Sequence, residues 1–137
     1  MKVMIDEGAK MPTRAHEWDA GLDLYAMESG KIPPCGSASF DTGVHVQIPA
    51  GYVGLLTSKS GLMSKHGITS RGTIDCGYTG SIKAVLFNHS HQYVTIEKGQ
   101  KITQLVILPI ITPELEVVDC LEETDRGSGG FGSSGKF

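Results

Sequence analysis

The chain has 137 residues, a net charge of -3 and 39% hydrophobic residues. This length suits one domain with a real core, and an acidic balance without a basic run argues against a general nucleic-acid binder while leaving a single nucleotide possible. The longest apolar stretch, residues 102–111, falls short of the roughly 20 residues that span a membrane, and the N-terminus has no signal-peptide pattern. We therefore expect a cytoplasmic protein, or one inside a host cell if its source is a virus, with no membrane or nucleic-acid partner.

The predicted secondary structure is mostly β, because apolar and polar residues alternate with a period of two. Val44, Val46 and Ile48 follow this alternation, and the Pro-Ala-Gly sequence at 49–51 then turns the chain toward residues 52–56, which predicts a hairpin. The expected strands are residues 2–5, 22–25, 44–48, 52–56, 82–87, 93–97, 102–108 and 115–119. Eight short strands favour a β-sandwich, a jelly roll or a closed barrel.

One short helix is predicted at residues 60–67. Ser60 can cap its N-terminus and Gly67 can end its last turn. The preceding Lys59 adds positive charge where free N–H groups and the helix dipole favour a phosphate. An ordinary capping motif has the same sequence, so these residues alone leave phosphate binding open.

Glycine-flanked polar residues mark a second candidate site at 72–80. This segment predicts a strand, a tight turn and a return strand that present Asp75 and Tyr78. Each can also be an ordinary turn or packing residue. Gln104 is polar within the apolar strand 102–108 and either faces solvent or serves a site.

The C-terminal residues 122–137 form a predicted flexible tail rich in glycine and serine, following a β domain over residues 1–121. Such a composition cannot bury a core, yet the tail carries Arg126, which can pair with a phosphate, and Phe131, which can stack on a base. A solvated tail without function is the alternative.

Taken together, five segments in order resemble the motifs of the trimeric dUTPase family, whose members hydrolyse dUTP to dUMP and pyrophosphate. They are residues 20–26 (AGLDLYA), 58–63 (SKSGLM), 72–82 (GTIDCGYTGSI), 99–106 (GQKITQLV) and the tail from Arg126. The spacer at 42–54 matches as well. The resemblance implies an all-β, jelly-roll-like domain that forms a homotrimer with active sites at subunit interfaces.

The resemblance also implies roles for single residues near the reacting atoms. Asp75 corresponds to the general base that activates the water attacking the α-phosphorus. Tyr78 corresponds to the residue that packs under deoxyribose and excludes a 2′-hydroxyl. Main-chain groups of the hairpin read uracil, here at Gly72, Thr73, Ile74 and Lys83.

The remaining implied residues serve the triphosphate. The phosphate-contacting positions match Lys59, Ser60, Gly61, Gln104 and Arg126, and the tail positions that cover the uracil match Phe131 and Gly132. Mg²⁺ is the implied cofactor, bound through the substrate triphosphate with no direct protein ligand, and Asp23 then acts through water.

Two departures from the family pattern and three alternatives remain at this point. Lys59 replaces the arginine of the second motif, and Thr69 lies where many relatives have a uracil-contacting asparagine. A dCTP deaminase shares the fold, a nucleotide-responsive regulatory protein can bind dUTP without turnover, and a carbohydrate-binding jelly roll is a further reading. The implied biological role is to limit uracil incorporation into DNA and to supply dUMP for thymidylate synthesis.

Overall fold

The structure is a computed structural model that describes residues 1–130 and 133. Within them it contains β-strands and one short helix, which confirms the all-β prediction. The strands are β1 Lys2–Ile5, β2 Gly21–Tyr25, β3 Gly30–Ile32, β4 Ser37–Asp41, β5 Val44–Gln47, β6 Tyr52–Ser58, β7 Ile68–Ile74, β8 Lys83–Asn88, β9 Val94–Ile96 and β10 Lys101–Pro109, and the helix α1 is Ser60–His66. No helix among these residues is long and apolar enough to cross a membrane.

The strands form one large sheet and two small ones, all with antiparallel pairs. The large sheet has the order β2-β10-β6-β7-β8-β4, and the small sheets pair β1 with β5 and β3 with β9. Strand β10 inserts between β2 and β6, so the last strand of the domain joins two early ones. Pairing between strands that are distant in sequence makes the arrangement jelly-roll-like. It also brings the ends of these strands next to one another.

The core consists of two apolar clusters beneath these sheets. Strand β8 shows how the sequence builds them, since Ala84, Leu86 and Asn88 are buried while the residues between them are exposed. The amide of Asn88 is satisfied by the carbonyls of Ile32, Pro33 and Gln92. The first cluster is Ala26, Ile32, Phe40, Leu62, Ile68, Ala84, Leu86, Ile96 and Ile102. The second is Leu24, Val44, Val46, Ile48, Leu56, Ile74, Ile82 and Leu105.

The predicted hairpin between residues 44–48 and 52–56 is wrong. The turn itself exists, with the Tyr52 N–H donating to the Pro49 carbonyl at 3.2 Å and Gly51 at a φ of 82°. However, β5 pairs with β1, whereas β6 pairs with β7 and β10. The turn therefore moves the chain from a small sheet to the large one, a choice that alternation within each strand cannot reveal.

The strand predicted at residues 115–119 is also wrong. Leu115 is 94% exposed and Val117 is 99% exposed, and neither belongs to a strand. Apolar alternation indicates a strand only if a neighbouring strand supplies hydrogen bonds and a surface to cover, and the described part of this chain supplies neither here. Conversely, the short strands β3 and β4 were missed, because their sequences GKI and SASFD carry little apolar alternation.

The helix ends as predicted but begins differently. Gly67 follows the last turn with a φ of 64°, and its N–H donates to the Met63 carbonyl. The N-cap residue is Lys59 rather than Ser60, and no side chain caps the N-terminus. Ser60 is the first helical residue, so its hydroxyl and the first N–H groups face outward without an internal partner from a cap.

Candidate active site

The loop between β7 and β8 forms a cleft around Asp75. A cavity of about 200 Å³ is lined by Thr73, Ile74, Asp75, Tyr78 and Lys83, all of them predicted site residues. Gly72 lies earlier on β7 and lines a neighbouring cavity instead. A wider cavity of about 600 Å³, next to residues 27–31 and 38–41, contains none of the predicted residues. The structure thus gathers five predicted site residues in one cleft, four of them from the third motif.

This loop is wider than the tight hairpin that the sequence predicted. Strand β7 changes partner along its length. Its first half pairs with β8, where Ser70 lies opposite Leu86, and its second half pairs with β6, where Ile74 lies opposite Gly54. The return strand begins only at Lys83. Since β7 and β8 separate before the turn, the loop opens into a cleft rather than closing as a two-residue turn.

Tyr78 is held in one orientation at the edge of the cleft. Its N–H donates to the Asp75 carbonyl at 3.0 Å, and its hydroxyl donates to the Ser81 carbonyl at 2.9 Å. The ring lies over Gly80, where an added Cβ would come within 2.7 Å of the tyrosine Cζ. Glycine is therefore required at position 80 for the ring to lie there, and the ring forms a wall beside Asp75.

Residues that the sequence analysis did not single out fix this loop to the strands beneath it. Ser81 donates a short hydrogen bond to Asp41, and Ile82 N–H donates to the Val44 carbonyl at 2.8 Å. Burial alone would raise the pKa of Asp41, but hydrogen bonds from Ser81 and the Gly43 N–H outweigh it, so the pKa lies below its usual value. His45 Nδ1 lies 2.8 Å from the Thr79 carbonyl. The sequence signals for these contacts were the matching spacer at 42–54 and the last residues of the third motif, and neither indicates which residues pair.

A second cluster surrounds Asp23 at the start of α1. The Asp23 carboxylate is buried and accepts from Lys59 Nζ at 2.5 Å and from Lys101 Nζ at 2.7 Å. Burial opposes ionisation, but the hydrogen bonds from the two lysines outweigh it and lower the pKa of Asp23. The same bond raises the pKa of Lys101. Lys101 was missed although it lies in the fourth motif, since a lysine at a strand end normally faces solvent.

Gln104 joins this cluster through strand register. It lies opposite Asp23 on β2 and opposite Thr57 on β6, so the side chains share one face of the sheet. Its Nε2 donates to the Ser58 carbonyl at 3.2 Å. Gly21 leaves room for it, because a Cβ there would lie 2.4 Å from the amide oxygen. Ser60 and Gly61 follow Lys59 along the chain, so the phosphate-binding candidates of the second and fourth motifs lie near two lysines that share one buried carboxylate.

The two clusters lie far apart in one chain. Strands β6 and β7 are antiparallel, with Gly54 opposite Ile74 and Thr57 opposite Arg71. Asp75 therefore follows the end of β7 that lies beside the start of β6, whereas Lys59 follows the other end of β6. At about 3.3 Å per residue the separation along the sheet is about 20 Å, too far for both residues to contact one small phosphate group.

The described part of the tail, residues 122–130 and 133, lies almost entirely at the surface. Residues 108–128 are exposed, and the Arg126 guanidinium Nε donates to the Gly129 carbonyl at 3.1 Å within the tail itself. Gly127 adopts a φ of 48° in the same turn. The predicted site residues Phe131 and Gly132 lie outside the described residues. Arg126 is thus available to a ligand, and nothing in its own bonds ties it to either cluster.

Comparisons with known proteins agree with these features. A model of the dUTPase family matches residues 7–135. A deoxyuridine 5'-triphosphate nucleotidohydrolase of Clostridium tetani is 43% identical over 136 residues, covering 97% of this chain and 94% of the relative. The protein of the same name from Kluyveromyces lactis is 45% identical over 130 residues, covering 93% and 88%.

Solved structures show the same similarity. The dUTPase of Staphylococcus bacteriophage 80alpha with dUPNHPP has a TM-score of 0.92 and 38% identity, covering 98% of both chains. A mutant dUTPase from phage phi11 of S. aureus, described with a structural Mg(II) ion, has a TM-score of 0.82 and 35% identity, covering 89% of this chain and 98% of that one. Agreement of sequence and fold over nearly the whole length shows that the chain belongs to the dUTPase family.

Proposed function

We propose that this chain hydrolyses dUTP to dUMP and pyrophosphate, with Asp75 as the general base. The observation that carries the assignment is the cleft in which Asp75 and Tyr78 lie side by side, in a chain whose relatives are named for this reaction. Hydrolysis of dUTP limits uracil incorporation into DNA and supplies dUMP for thymidylate synthesis.

The chemical step needs one water and one proton acceptor. Asp75 accepts the proton of a water whose oxygen attacks the α-phosphorus, the bond from that phosphorus to the bridging oxygen breaks, and pyrophosphate leaves with the electron pair. Asp75 is exposed at the cleft, so water reaches it directly. A carboxylate is ionised at neutral pH and can accept the proton as the new bond forms.

Selection of deoxyribose and uracil belongs to the same cleft. The Tyr78 ring occupies the space beside the sugar and excludes a 2′-hydroxyl sterically. Main-chain groups at Gly72, Thr73, Ile74 and Lys83 read the uracil edge. Cytosine reverses the donor and acceptor pattern of that edge and would leave buried groups unpaired, which is costly.

Phosphate binding belongs to the other cluster and to the tail. Lys59, Ser60, Gly61 and Gln104 contact the triphosphate, and Arg126 contacts the γ-phosphate when the tail closes. Phe131 then stacks on the uracil, and Gly132 allows the tail to pass close to it. Closure of the tail, residues 122–137 beyond a β domain of 1–121, excludes water other than the nucleophile.

The separation of about 20 Å between Lys59 and Asp75 supports a homotrimer. Within one chain the two residues lie too far apart to contact the same phosphate group, whereas a ring of three copies can place the Asp75 cleft of one copy against the Lys59 cluster of the next. The tail of the third copy completes the site. Each active site is then built at a subunit interface.

Mg²⁺ fits this arrangement as a partner of the substrate. Among the described residues no group of three His, Cys, Asp or Glu side chains could hold a metal, and the triphosphate oxygens together with water would supply its ligands. When bound, the ion would neutralise charge on the phosphates. Asp23 lies among the phosphate-binding residues, where its carboxylate would act on the ion through water.

Two experiments test the proposal. First, the purified protein is incubated with magnesium and dUTP, UTP, dCTP or dTTP, and pyrophosphate and ammonia are measured. Pyrophosphate is expected from dUTP, with far less from UTP and none from dCTP or dTTP. Ammonia from dCTP would identify a deaminase, and nucleotide binding without either product would identify a regulatory protein.

The second experiment tests site sharing by mixing two impaired variants, Asp75→Asn and Lys59→Gln, after joint refolding. If each site takes Asp75 from one copy and Lys59 from the next, random mixing restores roughly a quarter of the wild-type sites. Each variant refolded alone is the control. Recovery no greater than the average of the two controls would show that both residues act from the same chain.

A further inference from the structure

His45 bridges the Asp75 loop to the first strand of the chain. Its Nδ1 lies 2.8 Å from the Thr79 carbonyl, and its Nε2 lies 3.2 Å from Asp6 Oδ1. Asp6 is itself fixed, because its N–H donates to the Gly43 carbonyl at 2.8 Å. The imidazole therefore lies between the side chain of an anchored strand-end residue, Asp6, and the backbone carbonyl of Thr79 in the loop.

Both oxygen atoms can only accept hydrogen bonds. A neutral imidazole has one N–H and one lone pair, so it can satisfy one of the two and must direct its lone pair at the other. The imidazolium has two N–H groups and satisfies both. The geometry thus favours the protonated form of His45.

The surrounding charges act in the same direction. The hydrogen bond with the Thr79 carbonyl makes the largest contribution to the raised pKa of His45. Desolvation lowers this pKa, and the carboxylates of Asp6 and Asp41 raise it further. Lys2 lines the cavity beside the imidazole and carries the opposing charge, and Lys83 lies opposite Asp41 across the β4–β8 pair. The pKa of His45 consequently lies above the ordinary value of about 6.5.

Thr79 directly follows Tyr78, the residue to which the proposed function assigns sugar selection. We propose that protonated His45 is a positioning residue that holds the 78–80 segment through the Thr79 carbonyl, so that discrimination between dUTP and UTP depends on the charge of His45. This inference rests on the proposed role of Tyr78. At higher pH the single N–H of the neutral imidazole is shared between Asp6 and the Thr79 carbonyl. The carbonyl then lacks its donor for part of the time, the 78–80 segment loosens, and the Tyr78 ring excludes the 2′-hydroxyl less well.

The charge state is measured by NMR titration of the His45 ring in the full-length protein. Its pKa is expected above the ordinary histidine value in the wild type and lower in Asp6→Asn, where the negative charge is lost. A pKa at or below the ordinary value, or one unaffected by Asp6→Asn, overturns the inference whatever the enzyme does.

The functional consequence is measured as the ratio of kcat/KM for dUTP to that for UTP, at about pH 6 and about pH 8.5, on either side of the range in which a histidine with a raised pKa titrates. Effects of pH on the chemical step and on the triphosphate are common to both substrates and cancel in this ratio. The wild-type ratio is expected to fall about two- to tenfold as pH rises, the equilibrium effect of one net hydrogen bond.

Three variants separate positioning from general stability. His45→Asn keeps a donor that does not titrate, so its ratio is expected to be independent of pH, whereas His45→Ala lowers the ratio at both pH values. His16→Asn is the matched control, because His16 also pairs with an aspartate, Asp19, but within its own exposed loop; it should follow the wild type. A wild-type ratio that does not change with pH, or the same slope in His45→Asn, overturns the inference.

The Tyr78→Ala variant distinguishes failure of this inference from failure of the proposed function. A folded Tyr78→Ala variant that discriminates as well as the wild type overturns the role of the tyrosine. A pH-independent ratio in a protein whose Tyr78→Ala variant does lose discrimination overturns the role of His45 alone.

Discussion

The two ion pairs of Asp23 allow a quantitative prediction about the free energy of unfolding. Replacing Asp23 by Asn keeps the side-chain volume but removes the charge that two lysines share. The amide can still accept one hydrogen bond through its oxygen. Its NH₂ group must then face the other ammonium group, donor against donor, so one lysine loses its partner.

The size of the effect follows from the exposure of the three side chains. Removing one member of a fully buried pair costs about 3 to 5 kcal/mol, because the remaining charge stays buried. Here the Asp23 side chain is 6% exposed, but Lys59 is 24% and Lys101 is 44% exposed, so water can partly solvate both ammonium groups. We therefore expect a loss of about 2 kcal/mol in the free energy of unfolding, between the buried and the surface cases.

Urea unfolding at a fixed protein concentration measures this loss. With an m-value of about 2 kcal/mol per molar urea, the midpoint of Asp23→Asn should lie about 1 M below that of the wild type at pH 7. Because the pKa of Asp23 is lowered in the folded protein, the carboxylate stabilises the fold fully above its unfolded pKa of about 3.9 and loses this effect as the pH falls through the folded value. The two midpoints should therefore converge in acid. A difference below about 0.5 kcal/mol at pH 7, or an equal difference at acid pH, would refute the ion-pair account.

The remaining predictions concern catalysis. Asp75→Asn should lower kcat by about 10²- to 10⁴-fold, the usual contribution of a general base, with dUTP affinity and melting temperature nearly unchanged; a variant with half of the wild-type turnover would remove Asp75 from the mechanism. Tyr78→Ala should narrow the preference for dUTP over UTP in kcat/KM more than it lowers stability, and a preserved preference in a folded variant would place discrimination elsewhere. Deletion of residues 126–137 should leave the melting temperature intact but reduce kcat/KM strongly, and Arg126→Ala should reproduce much of that reduction because the phosphate loses its bidentate partner. Full activity of the truncated protein would show that the tail has no catalytic role.

Local features were predictable from the sequence where the determining contacts lie within a few residues. The alternation in residues 82–87 became strand β8 with alternate residues buried, and Gly67 ends the helix because only a residue that tolerates a positive φ closes that turn easily. Five motifs in order were enough to identify the family, since the function of each motif depends on single residues such as Asp75 and Tyr78.

Pairing between distant segments was not predictable in the same way. The strand at 115–119 has the alternation of a strand but no neighbour in the described part of the chain, and β5 pairs with β1 rather than with the adjacent β6. Strand pairing depends on which edges meet after the loops close and the core packs, and this information is spread over the whole chain.

The candidate site shows the same difference between what is local and what depends on distant residues. The sequence by itself determined which residues carry the chemistry, because the functional group of each side chain is given by its residue type. The tertiary structure decided what surrounds them: it placed Lys101 against Asp23, His45 against the Thr79 carbonyl, and Asp75 about 20 Å from Lys59. The contacts of His45 with Thr79 and of Lys101 with Asp23 join residues at least 34 positions apart. They arise from strand register, which no local pattern of side chains specifies.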